Sequence, residues 1–415
     1  MHLAREANAI GFVVTTEIHI PAMTIDLSNG YLAVTAPMKI IGAGFASTVV
    51  EQGSGALPGY FISHWTDSGA LTVQGLTIRG FTGKENGAVT SATTLAIVGC
   101  DFEANSTTWY GKGAVGGAIY MTNGGQLTVQ GSVFSDNHAD SGGGAIATSG
   151  PTTIDGSIFE GNTAGWASEQ GIGGAVYQPG DIVTISRSLF AGNAAGQGGA
   201  IYQSTGTLRI NNSTISGNQA LTFGGGIYST QNVLTTRFFN STIASNDADS
   251  DSSGDGAGGG LYVESGGIPG AVRVANSILA GNTDTVTIQP GGNVVRVPRE
   301  CRGNVQSNGY NIFQNDDSSC TISGSILATD PQLQPLSYNG GFSATRAIGP
   351  GSPAVDAGNP SGCLDDFAVP ISDDQRGTLR PSGADCDLGA FEYGPLIFSD
   401  DFELGVTGRW TAHAP

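Results

Sequence analysis

Apolar and polar residues alternate in short runs along much of the chain, and the runs recur in two phrases. One phrase reads LAIVGCDFEAN at 95–105, LTVQGSVFSDN at 127–137 and TTIDGSIFEGN at 152–162, with four further copies downstream. The other, such as GGAIY at 116–120 and GGAVY at 173–177, alternates with the first. Alternation with a period of two is typical of β-strands, so the pattern predicts short strands rather than amphipathic helices.

Aligning the copies of the first phrase places the same residue types in the same columns. The aligned asparagines are 25 to 36 residues apart, which is the length of a β-solenoid coil. They are Asn105, Asn137, Asn162, Asn193, Asn218, Asn246 and Asn282. Five residues before each asparagine stand Cys100, Ser132, Ser157, Ser188, Ser213, Ser241 and Ser277. Between these columns lies an apolar one: Phe102, Phe134, Phe159, Phe190, Ile215, Ile243 and Leu279.

Stacked coils explain such columns. Coils of a parallel β-solenoid repeat at about 4.8 Å, so equivalent side chains lie over one another. An asparagine amide at a bend then donates to one neighbour and accepts from the other, whereas a lone buried amide costs a few kcal/mol. The sequence therefore predicts an asparagine ladder, with the Gly-Gly pairs at sharp corners.

Loop lengths indicate which edge of the solenoid varies. From each asparagine to the apolar residue after the next Gly-Gly pair there are 13, 8, 13, 7, 8 and 14 residues. The opposite arc is nearly constant in length. Insertions therefore concentrate on one edge, where solenoid proteins usually carry their function.

The GGA[I/V/L] and FxxN phrases between about residues 70 and 285 resemble the repeats of polymorphic outer-membrane proteins. The opening Leu3–Ala9 (LAREANA) is similar to the LREA segment of secreted β-helices. The resemblance implies an all-β, right-handed, single-stranded parallel β-helix, a pectate-lyase-like solenoid, secreted or displayed on a Gram-negative bacterium and associated with its outer membrane. We expect N-terminal coils under a trimmed cap at 1–69 and the β-helix at 70–300.

Segments of the C-terminal region resemble the choice-of-anchor Q domain. They read CRGNVQSNGYNIF, DPQLQPLSYNGGFSATRAIGPGSPAVDAGNP, DQRGTLRP and CDLGAFEY, within residues 301–393. The resemblance implies a loop-rich C-terminal domain at 301–394 of a bacterial surface protein. A tail follows at 395–415 and is similar to sorting segments of secreted proteins.

Composition and charge narrow the classes of partner. The chain has 415 residues, 66 of them glycine, and a formal net charge of −19. That charge repels phosphate backbones, so we expect no nucleic-acid partner, whereas a glycan or another cell-surface ligand is compatible with it. The sequence contains no apolar stretch long enough for a transmembrane helix and no visible signal peptide, and it does not indicate an oligomeric state.

Four of the five cysteines lie in the C-terminal region. Three connectivities are open to Cys301, Cys320, Cys363 and Cys386, and Cys301–Cys320 with Cys363–Cys386 is the most local. Disulfides there imply an oxidising, extracellular compartment. The fifth, Cys100, occupies the serine column, so we interpret it as a buried small residue rather than a nucleophile.

No set of residues matches a known catalytic pattern of the β-helix enzymes, so we assign no catalytic residue. The pairs Asp365-Asp366 and Asp373-Asp374 fall in the C-terminal region, while Lys84, Lys112 and Arg187 are isolated in sequence. The five histidines share no motif, and we expect no joint role for them. A polysaccharide lyase or hydrolase acting on an acidic glycan remains the alternative to a non-enzymatic adhesion or recognition protein.

Two sets of residues are candidates for ligand binding. The loop carrying Asp247, Asp249, Asp251 and Asp255 alternates carboxylates as a calcium loop does, although a solvated acidic loop is the simpler interpretation and no cofactor is required. Aromatic residues form the second set. Trp109, Tyr110 and Trp166 lie in two long loops, about 10 Å apart along the axis, and Tyr177 lies beside that edge. We expect these aromatic rings either to stack on sugars or to cover their own loops.

A stripe of tyrosines follows the inward aliphatic residue of the second phrase and should therefore point outward. Its members are Tyr120, Tyr177, Tyr202, Tyr228 and Tyr262. The stripe predicts either an interaction surface or a stabilising stack.

Overall fold

The chain forms a parallel β-helix, as the two alternating phrases predict. A computed structural model describes residues 16–28, 31–53, 59–65, 69–85, 87–108, 113–165, 170–254, 256–288, 293–315, 320–324 and 327–394. These ranges contain strands, turns and loops but no helix, and hence no helix that could cross a membrane. We name the strand-bearing sides of the solenoid faces A, B, C and D, and the chain visits them in the order A, B, D, C.

Face A carries the first strand of each coil. Its strands are Thr16–Ile20, Met38–Gly42, Leu71–Gln74, Leu95–Val98, Leu127–Gln130, Thr152–Asp155, Ile182–Ser186, Gly206–Asn211, Val233–Phe239, Val272–Ala275 and Cys320–Ser323.

Face B has eleven strands, and the register of its pairs places the predicted phenylalanine column in one line. Its strands are Met23–Leu27, Thr48–Gln52, Thr77–Arg79, Asp101–Glu103, Val133–Ser135, Ile158–Glu160, Leu189–Ala191, Thr214–Ser216, Thr242–Ala244, Ile278–Ala280 and Ile312–Phe313.

Face D is short and lies immediately after the asparagines. Its strands are Thr82–Gly83, Ser106–Thr107, His138–Ala139, Thr163–Ala164, Ala194–Ala195 and Gln219–Ala220. Face C follows the Gly-Gly corners. Its strands are Leu32–Val34, Ile62–His64, Val89–Ser91, Ile119–Met121, Ile146–Thr148, Val176–Gln178, Ile201–Gln203, Ile227–Ser229 and Leu261–Val263.

Two further features depart from the simple coil. Cys301–Ser307 pairs with strands of both face C and face A, so the solenoid continues through Ser323, beyond the boundary expected at residue 300. An antiparallel hairpin, Thr283–Ile288 with Asn293–Pro298, projects where face D would otherwise continue.

Inward residues of each face fill the core with repeated stacks. Phe102, Phe134, Phe159 and Phe190 are fully buried, and successive ring centroids are 5.0, 4.7 and 4.6 Å apart. That spacing equals the repeat of the coils, so each ring lies face to face on the next.

The asparagine ladder is confirmed. The Asn193 Nδ2 donates to Asn218 Oδ1 at 2.9 Å and to the Phe159 carbonyl at 3.0 Å, while Asn193 Oδ1 accepts from the Asn162 amide. The same pattern runs from Asn105 to Asn282. The serine column forms a parallel chain, in which each serine hydroxyl accepts from the backbone N–H of the preceding member, as Ser157 does from Ser132 at 3.2 Å. Buried polar groups in these columns are satisfied by their neighbours in adjacent coils.

The ladder ends on a carboxylate that the sequence patterns did not reveal. Glu300 Oε2 accepts from Asn282 Nδ2 at 2.6 Å, and Glu300 Oε1 accepts from Asn315 Nδ2 at 2.8 Å. Burial raises the pKa of Glu300, although these donated hydrogen bonds oppose the rise. Glu300 therefore closes the otherwise unpaired end of the ladder.

The Gly-Gly corners depend on two properties of glycine, its access to positive φ and its lack of a side chain. Gly198 has a φ of +63°, in the left-handed region. Gly199 has no such φ, but a Cβ built on it would stand 2.1 Å from the Gly225 carbonyl oxygen. Coils can therefore pack at this corner only where a side chain is missing.

Residues 327–394, which we call the C-terminal strap, lie along the outside of face B. Outward residues of face B pack against apolar residues of the strap in two buried clusters. The face-B members are Val133, Ile158, Leu189, Ala191, Ile278, Ala280 and Ile312, and the strap members include Phe342, Ala344, Ile348, Leu388 and Phe391. The segment is therefore part of the same packed unit as the solenoid.

Polar contacts fix the strap to the corner between faces A and B. Asp366 accepts from Arg209 Nε at 2.8 Å and from Arg237 Nη1 at 2.9 Å, and its side chain is almost fully buried. Asn240 Nδ2 donates to the Leu364 carbonyl at 3.0 Å, and Asn212 Nδ2 donates to the Asp373 carbonyl at 2.7 Å.

Inside the strap, the charged residues of DQRGTLRP and CDLGAFEY form one buried network. Arg376 donates to Asp374 Oδ2 at 2.8 Å, and Arg380 lies 3.4 Å from Glu392 Oε2 while donating to the Gly389 carbonyl at 2.6 Å. The network explains why these polar residues occur in a loop-rich segment: they satisfy its turns from within.

Both disulfides are confirmed in the most local of the three connectivities. Cys301–Cys320 joins two paired strands at the end of the solenoid, with a Cα–Cα distance of 5.3 Å. Cys363–Cys386 closes a loop within the strap, with a Cα–Cα distance of 5.7 Å.

Candidate functional site

The loop-bearing edge lies between face D and the Gly-Gly corners. In the coil of residues 137–146, the segment between the asparagine and face C is short. The coils before and after it have longer segments at the same place. Register pairs Ser106 with His138 and His138 with Thr163, so these three side chains share one column. The insertions concentrate at this edge, which makes it the candidate location of a functional site.

His138 is held between two polar partners on this edge. Its Nδ1 lies 2.8 Å from Thr163 Oγ1, in the next coil, and its Nε2 lies 3.2 Å from Asp140 Oδ1. The side chains of His138 and Asp140 are 36% and 37% exposed, so this cluster meets solvent. The partners of His138 are a threonine and an aspartate rather than another histidine, so the expectation that the five histidines have no joint role stays a prediction.

Sequence inspection missed this cluster because Thr163 is 25 residues from His138 and only the coil register makes them neighbours. The available signal was the column itself: counting one residue past each ladder asparagine places Ser106, His138 and Thr163 together.

Two long loops leave and re-enter the solenoid beside Asp140 and Ser141. Gly113 N donates to Ser141 Oγ at 3.2 Å, and a Cβ on Gly165 would stand 2.8 Å from the Asp140 carbonyl oxygen. Trp109, Tyr110 and Trp166 lie outside the described residues, so their predicted role in ligand binding stays a prediction.

The tyrosine stripe on face C is a stack along much of its length. Ring centroids of Tyr202 and Tyr228 are 4.8 Å apart, and those of Tyr228 and Tyr262 are 4.9 Å apart. Burial, with Glu264 nearby, raises the pKa of Tyr202 to about 12 and raises that of Tyr228 further still. Because the rings cover each other, their faces are not open to a ligand.

Tyr177 differs from the rest of the stripe. Its ring is tilted by 59° from that of Tyr202, and its neighbour on the other side is Ala147 rather than an aromatic residue. The ring leans over Gly142, where an added Cβ would stand 3.3 Å from Tyr177 Cδ1 and 2.9 Å from Ile172 Cγ1. Tyr177 is half-buried, with burial raising its pKa.

The acidic loop is organised by its own hydrogen bonds. Asp249 Oδ1 accepts from the Ser253 backbone at 2.9 Å, Asp249 Oδ2 accepts from Gly254 N at 2.8 Å, and Thr285 also donates to this carboxylate. Asp247 pairs with Arg296 of the projecting hairpin. Asp255 lies outside the described residues.

These contacts show what the carboxylates of the proposed calcium loop bind within the protein, but they do not test calcium binding. Asp247 and Asp249 direct their oxygens at protein donors, and Asp251 Oδ1 lies 3.2 Å from Ser253 N. Among the described residues, no three histidine, cysteine or acidic side chains converge as metal ligands. The calcium site stays a prediction.

The paired aspartates and Cys100, which the sequence also singled out, lie in contacts that stabilise the fold. Asp366 and Asp373 contact Arg209, Arg237 and Arg187 where the strap meets the solenoid. Cys100 is fully buried, and burial raises its pKa to about 12, which fits the structural interpretation of its place in the serine column.

A comparison with known protein families agrees with the repeat. The Chlamydia polymorphic membrane protein repeat matches residues 131–149, 187–204 and 212–230, which is well under half of the chain. No curated protein matches. The crystal structure of pectate lyase Pel9A is similar at 14% identity over 94% of this chain and 90% of that chain, with a TM-score of 0.48. The chain is a parallel β-helix protein that contains polymorphic-membrane-protein-like repeats.

Proposed function

We propose that this chain is a secreted or cell-surface β-helix protein that recognises a glycan or another surface ligand through its loop-bearing edge, without chemical turnover. The observation that carries the proposal is the contrast between two sides of the solenoid. The outer surface of face B is covered by the C-terminal strap between Val133 and Ile312, whereas the loop-bearing edge keeps half-exposed polar and aromatic side chains. The matches to a membrane-protein repeat support a surface location.

The glycan-binding groups in this proposal are Trp109, Tyr110, Trp166 and Tyr177. Aromatic rings bind sugars by stacking on their apolar faces, and three of these residues lie in the two long loops. Glycan-array binding by the wild-type chain, reduced in the Trp109→Ala/Trp166→Ala double variant, is the expected result. Equal binding by both proteins would exclude the aromatic contribution.

Depolymerisation assays on uronate polymers separate recognition from catalysis. We expect no release of unsaturated or reducing-end products. Release that is abolished by a chelator, or by substitution of aspartate or lysine residues in the long loops, would replace the recognition role with a lyase or hydrolase.

Attachment to the cell surface is a second part of the proposal. The resemblance of residues 301–393 to the choice-of-anchor Q domain supports it, with the tail at 395–415 as the sorting segment. Deleting residues 395–415 should move the protein from the cell-surface fraction to the culture medium while the disulfides still form. An unchanged distribution would remove the tail from the proposal.

A further inference from the structure

We infer that His138, Asp140 and Thr163, together with the Tyr177–Ile172 surface, form a binding site for a neutral saccharide on the coil of residues 137–146. This inference rests on the proposed function and names its site and its class of ligand.

The polar half of the site is held in a fixed geometry. His138 contacts Thr163 Oγ1 at 2.8 Å on one side and Asp140 Oδ1 at 3.2 Å on the other. A neutral imidazole between them accepts from one neighbour and donates to the other. The cluster is therefore positioned before a ligand arrives, which lowers the entropy lost on binding.

The apolar half lies on the other side of Gly142 in the same coil. The Tyr177 ring and the Ile172 side chain both pack on Gly142, and the register partner of Tyr177 in the preceding coil is Ala147. A pyranose combines an apolar face of C–H groups with hydroxyls at its rim. Gly142, on which the aromatic ring packs, is two residues after Asp140, so the ring and the polar cluster match both parts from one coil.

Charge decides between neutral and acidic sugars. A uronate carboxylate would approach the Asp140 carboxylate in a molecule with a net charge of −19. Repulsion between the two carboxylates disfavours binding of a uronate. The hydroxyls of a neutral sugar, in contrast, donate hydrogen bonds to a carboxylate. The site therefore selects neutral hexose or pentose chains over uronates.

The coil that carries the site has a shorter connection than its neighbours. Eight residues separate Asn137 from Ile146, against thirteen in each of the adjacent coils. The described ends of the adjacent connections, Gly113 and Gly165, lie beside Ser141 and Asp140. The side chains of His138 and Asp140 are 36% and 37% exposed, so a ligand can reach them.

Titration calorimetry on the full chain tests the site, with neutral oligosaccharides (cello-, manno- and xylo-oligosaccharides) and oligogalacturonate as the probes. We expect at least one neutral probe to bind, and Asp140→Asn and Tyr177→Ala to weaken that binding by about tenfold each. Gln219→Ala is the matched control, because Gln219 is exposed on face D and lies three coils from His138. Unchanged melting temperatures identify variants whose fold is intact.

The outcomes separate this inference from the broader function. Neutral-probe binding that is equal in wild type, Asp140→Asn and Tyr177→Ala overturns the site but leaves glycan recognition standing. Binding of oligogalacturonate alone overturns the neutral class in the same way. Absence of any glycan binding, on the array and in solution, overturns both.

Discussion

Asn193 shows how one residue type can stabilise a solenoid. Its side-chain nitrogen donates to the Phe159 carbonyl and to Asn218 in the next coil. Its side-chain oxygen accepts from both the backbone and the side chain of Asn162 in the preceding coil. Removing one such amide leaves several buried groups without partners, and each costs about 1–3 kcal/mol.

Asn193→Ala should therefore lower the free energy of unfolding by about 3 kcal/mol or more. Denaturant unfolding followed by far-UV circular dichroism measures the change. Gln219→Ala, on the exposed side of face D, should stay within about 0.5 kcal/mol of wild type. A loss at Asn193 no larger than that of the control would mean that the ladder does not stabilise the coils.

Glu300 gives the ladder a pH dependence. Burial raises the pKa of its carboxyl group above its ordinary value, so the folded state binds this proton more tightly than the unfolded state. The stability from this group is fully present below the unfolded-state pKa and is lost as the pH rises through the folded-state pKa.

Glu300→Gln should remove that loss, because a neutral amide can still accept from Asn282 through its oxygen. The stability of wild type relative to the variant should fall as the pH is raised from about 4 to 8. Unfolding free energies of both proteins across this range test the sign. A constant difference would place the ionisation of Glu300 outside the folding equilibrium.

At the scale of one element, Gly199 of the Gly-Gly corner and Gly192, which precedes the ladder residue Asn193, have different reasons to be glycine. Gly199 lies against the carbonyls of Gly225 and Gln219, so a methyl group there collides with backbone. Gly192 has a φ of +61° and nothing within 4 Å of an added Cβ.

Gly192→Ala should cost only the left-handed backbone penalty, about 1 kcal/mol, whereas Gly199→Ala should cost about 3 kcal/mol or prevent folding. Thermal unfolding of the two variants compares them directly. Equal losses would show that the corner is open enough to accept a side chain.

Periodicity made these elements predictable, because each column repeats in every coil. The asparagine, serine and phenylalanine columns appear in the sequence as they appear in the fold. The cluster of His138, Asp140 and Thr163 occurs once, so no repetition marks it, and it depends on a hydrogen bond between coils. The sequence also left undecided whether the tyrosines stack on one another. Alternation predicts that their side chains point outward, but it does not predict which residues cover them.

For the whole molecule, sequence patterns alone separated the solenoid from the C-terminal region, although the two share buried clusters. A signal existed at Val133, Ile158 and Leu189. Each is an outward residue next to an inward phenylalanine, and two consecutive apolar residues indicate a strand buried on both sides. The pattern reveals that something covers face B, but it does not identify the covering segment.

Ile158→Ser tests whether the strap is held by this column. Ile158 is 1% exposed and packs under the strap, so a polar side chain there should lower the free energy of unfolding by about 3 kcal/mol. It should also speed proteolytic cleavage within residues 327–394, because the strap loses part of its apolar contact. Glu160→Ala, on the same strand but exposed, should do neither. Loss of stability in Ile158→Ser with wild-type cleavage of the strap would show that face B is stabilised by the coils alone, with the strap attached through Asp366 and its arginines.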